Sequence, residues 1–474
     1  MKVLSPSDII SAIRNKELSK KEVLWDFYAS IDKYNGVLNA IVSLKDRERV
    51  LKEHNNWSEK QKDQENKVLN GLPLAIKDLA DAEGFPTTYG VPKYKNNIVK
   101  QNSIMVQRLI NNGAIIIGKT NTPEFGLGSH TFNRVFGSTA NAYDISKTAG
   151  GSSGGAASAI AAGLIPVADG SDMMGSCRNP AAFTNIYGIR PTPGLIPQDR
   201  TDKTDNLPIL STLGYLGRTP NDIALMLDAV AGKHPLDPFS FNLQRKFSDF
   251  FLTDSEFFSA KIGWLGNCRG YYETEKEVLN LCETKLYELS RSKIIVDEVF
   301  FDRKLAQLWK SWKVLRSKAL YNELSSWNLK EEDKVFNVKW EYKKGLEIEE
   351  NEIKEALKER KEWLDEVNTL FKKFDFLTMP SAQLFPFDKN INFPSLINGI
   401  EMDSYHKWME IVTIPSLLGL PVISVPVGFS KTGLPMGMQL IAKKGDDLKL
   451  LAFAKRYEEM FEASKVTPDL TKIS

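Results

Sequence analysis

Apolar residues recur at helical spacing near the start of the chain. Ser19 and Glu22 make an S-x-x-E capping box, and Val23, Leu24, Phe27 and Ile31 follow on one face. The spacing predicts a helix that opens just after Ser19. The texture changes at Gly71, where a short apolar run, Leu72 to Ile76, ends on Lys77. Ala114 to Ile117 lies between Gly113 and Gly118 and predicts a buried strand. Ala156 to Ala162 predicts a helix of small residues that packs closely, and Ile165 to Ala168 predicts another buried strand. Residues 236–375 read differently, as long charged amphipathic helices. From Leu346 to Phe374 the apolar positions Ile348, Ile353, Leu357, Leu364, Val367, Leu370 and Phe374 recur near the helical period. The charges between them read as a solvated face. Phe376–Met379 and Val422–Val427 predict further buried strands. Strands alternating with helices indicate an α/β fold with a sheet core. No repeat or linker is visible. One large domain is therefore expected: 1–70 N-terminal helices, 71–235 core, 236–375 helical elaboration, and 376–474 strands and a helix completing the core.

Composition narrows the function. At roughly 150 residues per domain, 474 residues would suggest three domains, but large α/β units run longer. Lys+Arg is 62 and Asp+Glu is 60, a net charge of +2. That balance carries no footprint for nucleic acid or an anionic membrane. The N-terminus has no apolar h-region. The longest apolar run, Ile414 to Phe429, is broken by Pro415, Pro421 and Pro426 and is too short to span a bilayer. A soluble cytoplasmic protein is expected. The 3 cysteines, Cys177, Cys268 and Cys282, make neither a disulfide framework nor a C-x-x-C zinc site. The 4 histidines are far apart, so acid/base chemistry would fall to another residue.

Several short patterns match familiar sites and fail on context. Gly113 to Thr120 fits a P-loop, but its middle is itself the strand, and Pro123 blocks the helix that should follow. Gly151-Ser-Ser153-Gly-Gly155 fits a nucleophile elbow, yet no strand precedes it. That reading would also need His234 or His406 downstream. Ser290 to Lys293 and Lys431 to Gly433 fit S-x-x-K and K-T-G, patterns that arise by accident in a chain this long.

Two segments remain. Paired glycines flank Ser152 and Ser153, which opens backbone conformations closed to other residues. Gly175 precedes Ser176 and permits a tight turn whose successive N–H groups point one way, as an oxyanion hole requires. Lys77 follows an apolar run, and a lysine in such surroundings loses its charge more readily and can act as a base. The segments are Gly71-Leu-Pro-Leu-Ala-Ile-Lys77-Asp78, Gly150-Gly-Ser-Ser-Gly-Gly155 and Gly170-Ser-Asp-Met-Met-Gly-Ser-Cys-Arg-Asn-Pro180. In this order they resemble the amidase signature family. Flanking pieces, Gly118 to Phe125 and Gly433 to Gln439, are similar as well.

The resemblance implies an amidase-signature fold, a mixed β-sheet with helices on both faces. It implies Ser176 as nucleophile, Ser152 as a bridging serine on a cis peptide and Lys77 as base, with no metal and no cofactor. Met173, Met174, Gly175 and Ser176 would hold the oxyanion with their backbone N–H groups, and Met173, Met174, Gly175 and Ser153 are the expected substrate-binding residues, Ser153 by hydrogen bonding. The Asp-Met-Met-Gly-Ser variant resembles amidases acting on aryl acylamides and D-amino-acid amides, so the implied partner is a small, fairly apolar amide. No direct nucleic-acid or membrane contact is implied, and a homodimer is compatible. The alternative is the glutamine-hydrolysing component of a tRNA-dependent amidotransferase. Asp172 and Arg178 are expected to pair across their turn, and Cys177 to pack in the interior. His130 and His406 read as ordinary or pocket-lining residues, and the tryptophans from Trp309 to Trp340 as core.

Overall fold

The computed structural model describes residues 4–55, 67–201 and 206–472. The capping box forms as expected. Ser19 Oγ accepts the Glu22 N–H at 3.2 Å, and the Glu22 carboxylate accepts the Ser19 N–H at 2.7 Å. The Lys20–Leu38 helix that follows buries Val23, Leu24, Tyr28, Ile31 and Leu38. Residues 56–66, inside the segment expected to be helical, lie outside the described residues.

Eight strands form one mixed sheet, in the order Ile295–Glu298, Lys261–Trp264, Phe376–Pro380, Pro435–Ala442, Val422–Phe429, Tyr187–Arg190, Thr212–Gly217 and Val167–Asp172. Lys261–Trp264 runs parallel to both its neighbours, and the other pairs are antiparallel. A second sheet has Ile115–Thr120 at its centre, antiparallel to Ile41–Val42 and parallel to Pro73–Lys77. Pro73–Lys77 packs against Val167–Asp172, the end strand of the larger sheet. The catalytic candidates Lys77 and Ser176 are thereby brought to one seam.

The segment 236–375, expected to be a purely helical elaboration, also supplies two strands of the large sheet, Lys261–Trp264 and Ile295–Glu298, and its helices share the core of that sheet. Trp312 and Trp363 are buried in the same apolar cluster as Ile189, Tyr215, Val425 and Leu440. The helix expected across 346–374 is broken. Phe336–Glu347 ends first, Ile348 and Glu349 are extended, and a new helix runs Glu350–Leu370. Glu349 caps the new helix and exchanges hydrogen bonds with Glu352. Apolar spacing hid this break because Ile348 and Ile353 both pack against the core across it.

Strand boundaries also move. Ile115–Thr120 carries on through Gly118-Lys119-Thr120, because both neighbouring strands pair with it there. Lys119 is buried and lies 3.6 Å from Asp78, which fits a strand and not a phosphate loop. The strand expected at 165–168 lies instead at Val167–Asp172. Pro166 has no N–H to give a ladder, and the polar residues after it pair with Thr212–Gly217.

The small-residue helix, Gly154–Ala161, is buried along its whole length. A Cβ on Gly155 would stand 2.3 Å from the Asn121 backbone nitrogen and 2.6 Å from the Ala40 carbonyl oxygen. Close approach to these loops is what glycine provides here. The Gly151–Ser152 peptide just before the helix is cis.

Candidate active site

A cavity of about 220 Å³ opens at the seam between the two sheets. Lys77, Ser152, Asp169, Ser171 and Ser176 line its polar side. Leu79, Phe125, Leu127, Met174, Leu213, Leu320 and Met409 line its apolar side.

Lys77 ends its strand and is 1% exposed. Its Nζ donates to three hydroxyl oxygens: Ser152 at 2.7 Å, Ser153 at 2.8 Å and Ser171 at 3.0 Å. An ammonium has three N–H donors, so the cradle satisfies each one. Burial lowers the Lys77 pKa to about 8, against the opposing pull of Cys177, Asp169 and Asp172. A large neutral fraction is thereby present near pH 8, and a neutral amine can accept the Ser152 proton.

Ser152 is 2% and Ser176 8% exposed. Among the described residues nothing hydrogen-bonds the Ser176 hydroxyl, which faces the cavity. The Ser176 carbonyl accepts the Ser153 N–H at 3.1 Å and ties the two serine segments together.

The turn after the Val167–Asp172 strand is shaped by Asp172. Its carboxylate accepts the Gly175 N–H at 2.9 Å and the Cys177 N–H at 3.1 Å. It also accepts Arg178 Nε at 3.0 Å and Nη2 at 2.8 Å, the pairing that the sequence suggested. Burial works against this carboxylate's charge, but Arg178 and Arg190 hold its pKa well below the usual range. Arg178 reaches onward to the Val412 carbonyl, Ser416 Oγ and Gln439 Oε1. The C-terminal segment thus anchors the turn. Gly175 takes φ +82°, where a side chain would be strained, and a Cβ there would meet Val412 at 3.0 Å.

Two expectations change. Met173 and Met174 line the cavity, whereas Gly175 and Ser153 do not. The Gly175 N–H is taken by Asp172, so it serves the shape of the turn. Among the described residues the N–H groups of Met173, Met174 and Ser176 meet no acceptor and remain available. Ser153 is fully buried behind Lys77 and holds its Nζ, which makes it a support for the lysine and not a contact for substrate.

Two residues were missed. Ser171 completes the cradle of Lys77. Asp169 Oδ1 accepts the Lys77 backbone N–H at 2.9 Å, and burial raises the Asp169 pKa to about 6. Alternation along a strand places 169 and 171 on one face, so a strand read through Asp172 would have found both.

Among the described residues no histidine lines the cavity. His130 is bonded to Thr148 Oγ1 at 2.7 Å and to the Lys389 carbonyl at 3.0 Å. His406 is buried among Tyr405, Trp309 and Trp340. Trp312 is core as expected, while Trp327 stands edge-on to Phe125 at 5.2 Å and backs the cavity wall. Cys177 is buried, and burial keeps its thiol protonated.

Known proteins share this architecture and sequence. The chain is 31% identical to an acylamidase of Rhodococcus erythropolis over 463 residues, which covers 96% of this chain and 95% of the relative. It is 29% identical to a glutamyl-tRNA(Gln) amidotransferase subunit of Saccharolobus solfataricus, covering 94% of each. The crystal structure of a bacterial aryl acylamidase of the amidase signature enzymes superposes with a TM-score of 0.87 at 26% identity, covering 98% of this chain and 97% of that one. The amidase family model matches residues 22–451, a span that holds every side chain lining the cavity, and the chain therefore belongs to the amidase family, as an enzyme that hydrolyses amide bonds.

Proposed function

We propose that the protein hydrolyses a small, fairly apolar carboxylic amide through a Ser176–Ser152–Lys77 relay and an acyl-enzyme. The observation that carries this reading is the 2.7 Å contact between Lys77 Nζ and Ser152 Oγ, with the lysine sealed from solvent and its pKa lowered to about 8. Neutral Lys77 takes the Ser152 proton while Ser152 takes the Ser176 proton, and Ser176 Oγ bonds to the amide carbon. The carbonyl oxygen becomes an oxyanion, held by the N–H groups of Met173, Met174 and Ser176. Collapse breaks the C–N bond, and the proton on Lys77 returns through Ser152 to the leaving nitrogen, which departs as a neutral amine or ammonia. Water then attacks the ester by the same relay run again, releasing the carboxylic acid and restoring Ser176. The relay uses no histidine, metal or organic cofactor. The apolar wall of Leu79, Phe125, Met174, Leu213 and Met409 supports an apolar acyl or aryl group.

A serine-directed sulfonyl fluoride tests the reading. Mass analysis is expected to place the adduct on Ser176, and Lys77→Ala is expected to suppress it. Absence of an adduct, with no turnover of aryl, aliphatic or amino-acid amides, would sink the proposal. The similarity to glutamyl-tRNA(Gln) amidotransferases supports a second reading, glutamine hydrolysis within a larger assembly. Ammonia release from glutamine only when a partner protein is added would favour it.

A further inference from the structure

Glu323 stands in the wall of the same cavity as Ser176, in the last turn of the Leu305–Ser325 helix. Two features set its carboxylate apart. The C-terminal end of a helix carries the negative pole of the backbone dipoles, which repels an anion. Its side chain is exposed on the open side of the cavity, where an incoming molecule can reach it. Among the described residues it has neither a hydrogen-bond partner nor an ion pair. A residue held against local preference at a binding site points to a role outside folding.

The other charges of the cavity are already committed. Arg316 donates to Tyr405 Oη at 2.8 Å and is ion-paired with buried Glu341. Lys77 is occupied by its three hydroxyls, and Asp169 by the Lys77 N–H. Among the described residues the cavity therefore offers an incoming molecule one unpartnered anion on its wall, while its arginine, Arg316, is already ion-paired.

We propose that Glu323 is the anchor for an ammonium group on the substrate, so that the preferred amide carries a primary ammonium and no carboxylate. This rests on the hydrolase reading above and specifies its substrate. The apolar wall would take the carbon chain between the ammonium and the scissile amide. Free glutamine fits poorly on these terms. Its ammonium would be met, but its carboxylate would find Arg316 already neutralised by Glu341.

The test is a series of ω-ammonium alkanamides of increasing length, each paired with its methyl-terminated isostere, with ammonia release as the readout. A charge-assisted contact out of bulk water should raise kcat/KM of the best ammonium member over its isostere by about tenfold or more. Glu323→Gln should bring that ratio close to one, and Glu323→Asp should leave part of it. Circular dichroism and Tm establish that each variant is folded. Equal kcat/KM for the ammonium and methyl members at every length in the wild-type enzyme overturns the inference while leaving the hydrolase reading in place. A preference that survives Glu323→Gln overturns it too, by placing the recognition elsewhere. Absence of turnover of any amide, with no adduct on Ser176, removes both.

Discussion

Asp169 Oδ1 accepts the backbone N–H of Lys77 at 2.9 Å, and its other oxygen is buried without a hydrogen-bond partner among the described residues. The carboxylate is thus fixed beside the lysine whose neutral form is needed for attack. Its charge favours the lysine's charged form. Asp169 titrates near pH 6, so it is ionised where Lys77 titrates, near pH 8. Asp169→Asn keeps an acceptor for the N–H and removes the charge. The acid limb of kcat/KM, which rises as Lys77 loses its proton, is expected to move to lower pH by roughly half to one unit. An unmoved or upward-shifted limb in a folded variant would count against Lys77 as the base.

The same burial that makes Lys77 reactive costs stability. Its pKa falls from the ordinary 10.5 to about 8 in the folded state, so the folded protein binds fewer protons than the unfolded chain between those values. Stability from this group is therefore lowest below pH 8 and is recovered as pH rises toward 10.5. Lys77→Met is expected to abolish turnover and to raise unfolding stability at pH 7 by roughly 1–3 kcal/mol, the lower end reflecting three hydroxyls left without their donor. Denaturant titrations at pH 7 and pH 10.5 check the sign. The gain should shrink at the higher pH, and an equal gain at both would refute the electrostatic account.

The order of Lys77, Ser152 and Ser176 was legible because glycine-rich segments leave a mark in sequence that survives loss of context. The sheet core was legible for a related reason: Val422–Phe429 and Phe376–Pro380 are runs of apolar residues, buried along nearly their whole length. What escaped was burial of polar residues by partners distant in the chain. Lys119 lies beyond the strand expected at Ala114 to Ile117, and its burial shows only when Ala80 and Thr87 take its Nζ. Ser171 sits inside the second serine segment with no role of its own until Lys77 arrives from another sheet. The loss of Gly175 as an oxyanion donor was hidden for a different reason. The glycine was read for its backbone freedom, while the carboxylate of Asp172, three residues earlier, turns back and captures its N–H.

His406 offers a test that separates histidine from the chemistry. Both its ring nitrogens are buried without hydrogen-bond partners among the described residues, and burial drives its pKa well down. The imidazole is neutral, and its N–H has lost water without gaining an acceptor. Its ring stacks on Tyr405 at 4.6 Å between centroids and leans on Trp340 at 5.0 Å. His406→Phe keeps the aromatic contacts and removes the unsatisfied polar atoms. It is expected to raise stability by about 1–2 kcal/mol in urea titrations, with labelling of Ser176 retained. Destabilisation would mean that the ring has a polar partner, and loss of labelling in a folded variant would reopen the case for histidine.

Arg178 joins the serine turn to the C-terminal strands, and its removal should be felt at both ends. Its guanidinium is bonded to Asp172, Val412, Ser416 and Gln439 with no exposure to solvent. Arg178→Leu keeps an apolar stem but leaves Asp172 buried with Arg190, at 3.7 Å, as its one remaining ion-pair partner among the described residues. Breaking a buried pair in this way is expected to cost about 3–5 kcal/mol. The Asp172 pKa, now held low, should rise in the variant. A carboxylate with a depressed folded pKa contributes stability above its unfolded pKa and loses it as pH falls, so the wild-type protein carries this contribution at pH 7 and the variant lacks most of it. The stability gap between the two should therefore narrow as pH drops through the range where Asp172 protonates. Arg178→Lys keeps a charge but not the fork that spans Asp172, Ser416 and Gln439, and should fall between the two. Because Asp172 also holds the Gly175 and Cys177 N–H groups, kcat should drop in Arg178→Lys even at temperatures where the variant is fully folded. Full kcat in that variant would show that the turn keeps its shape without the fork.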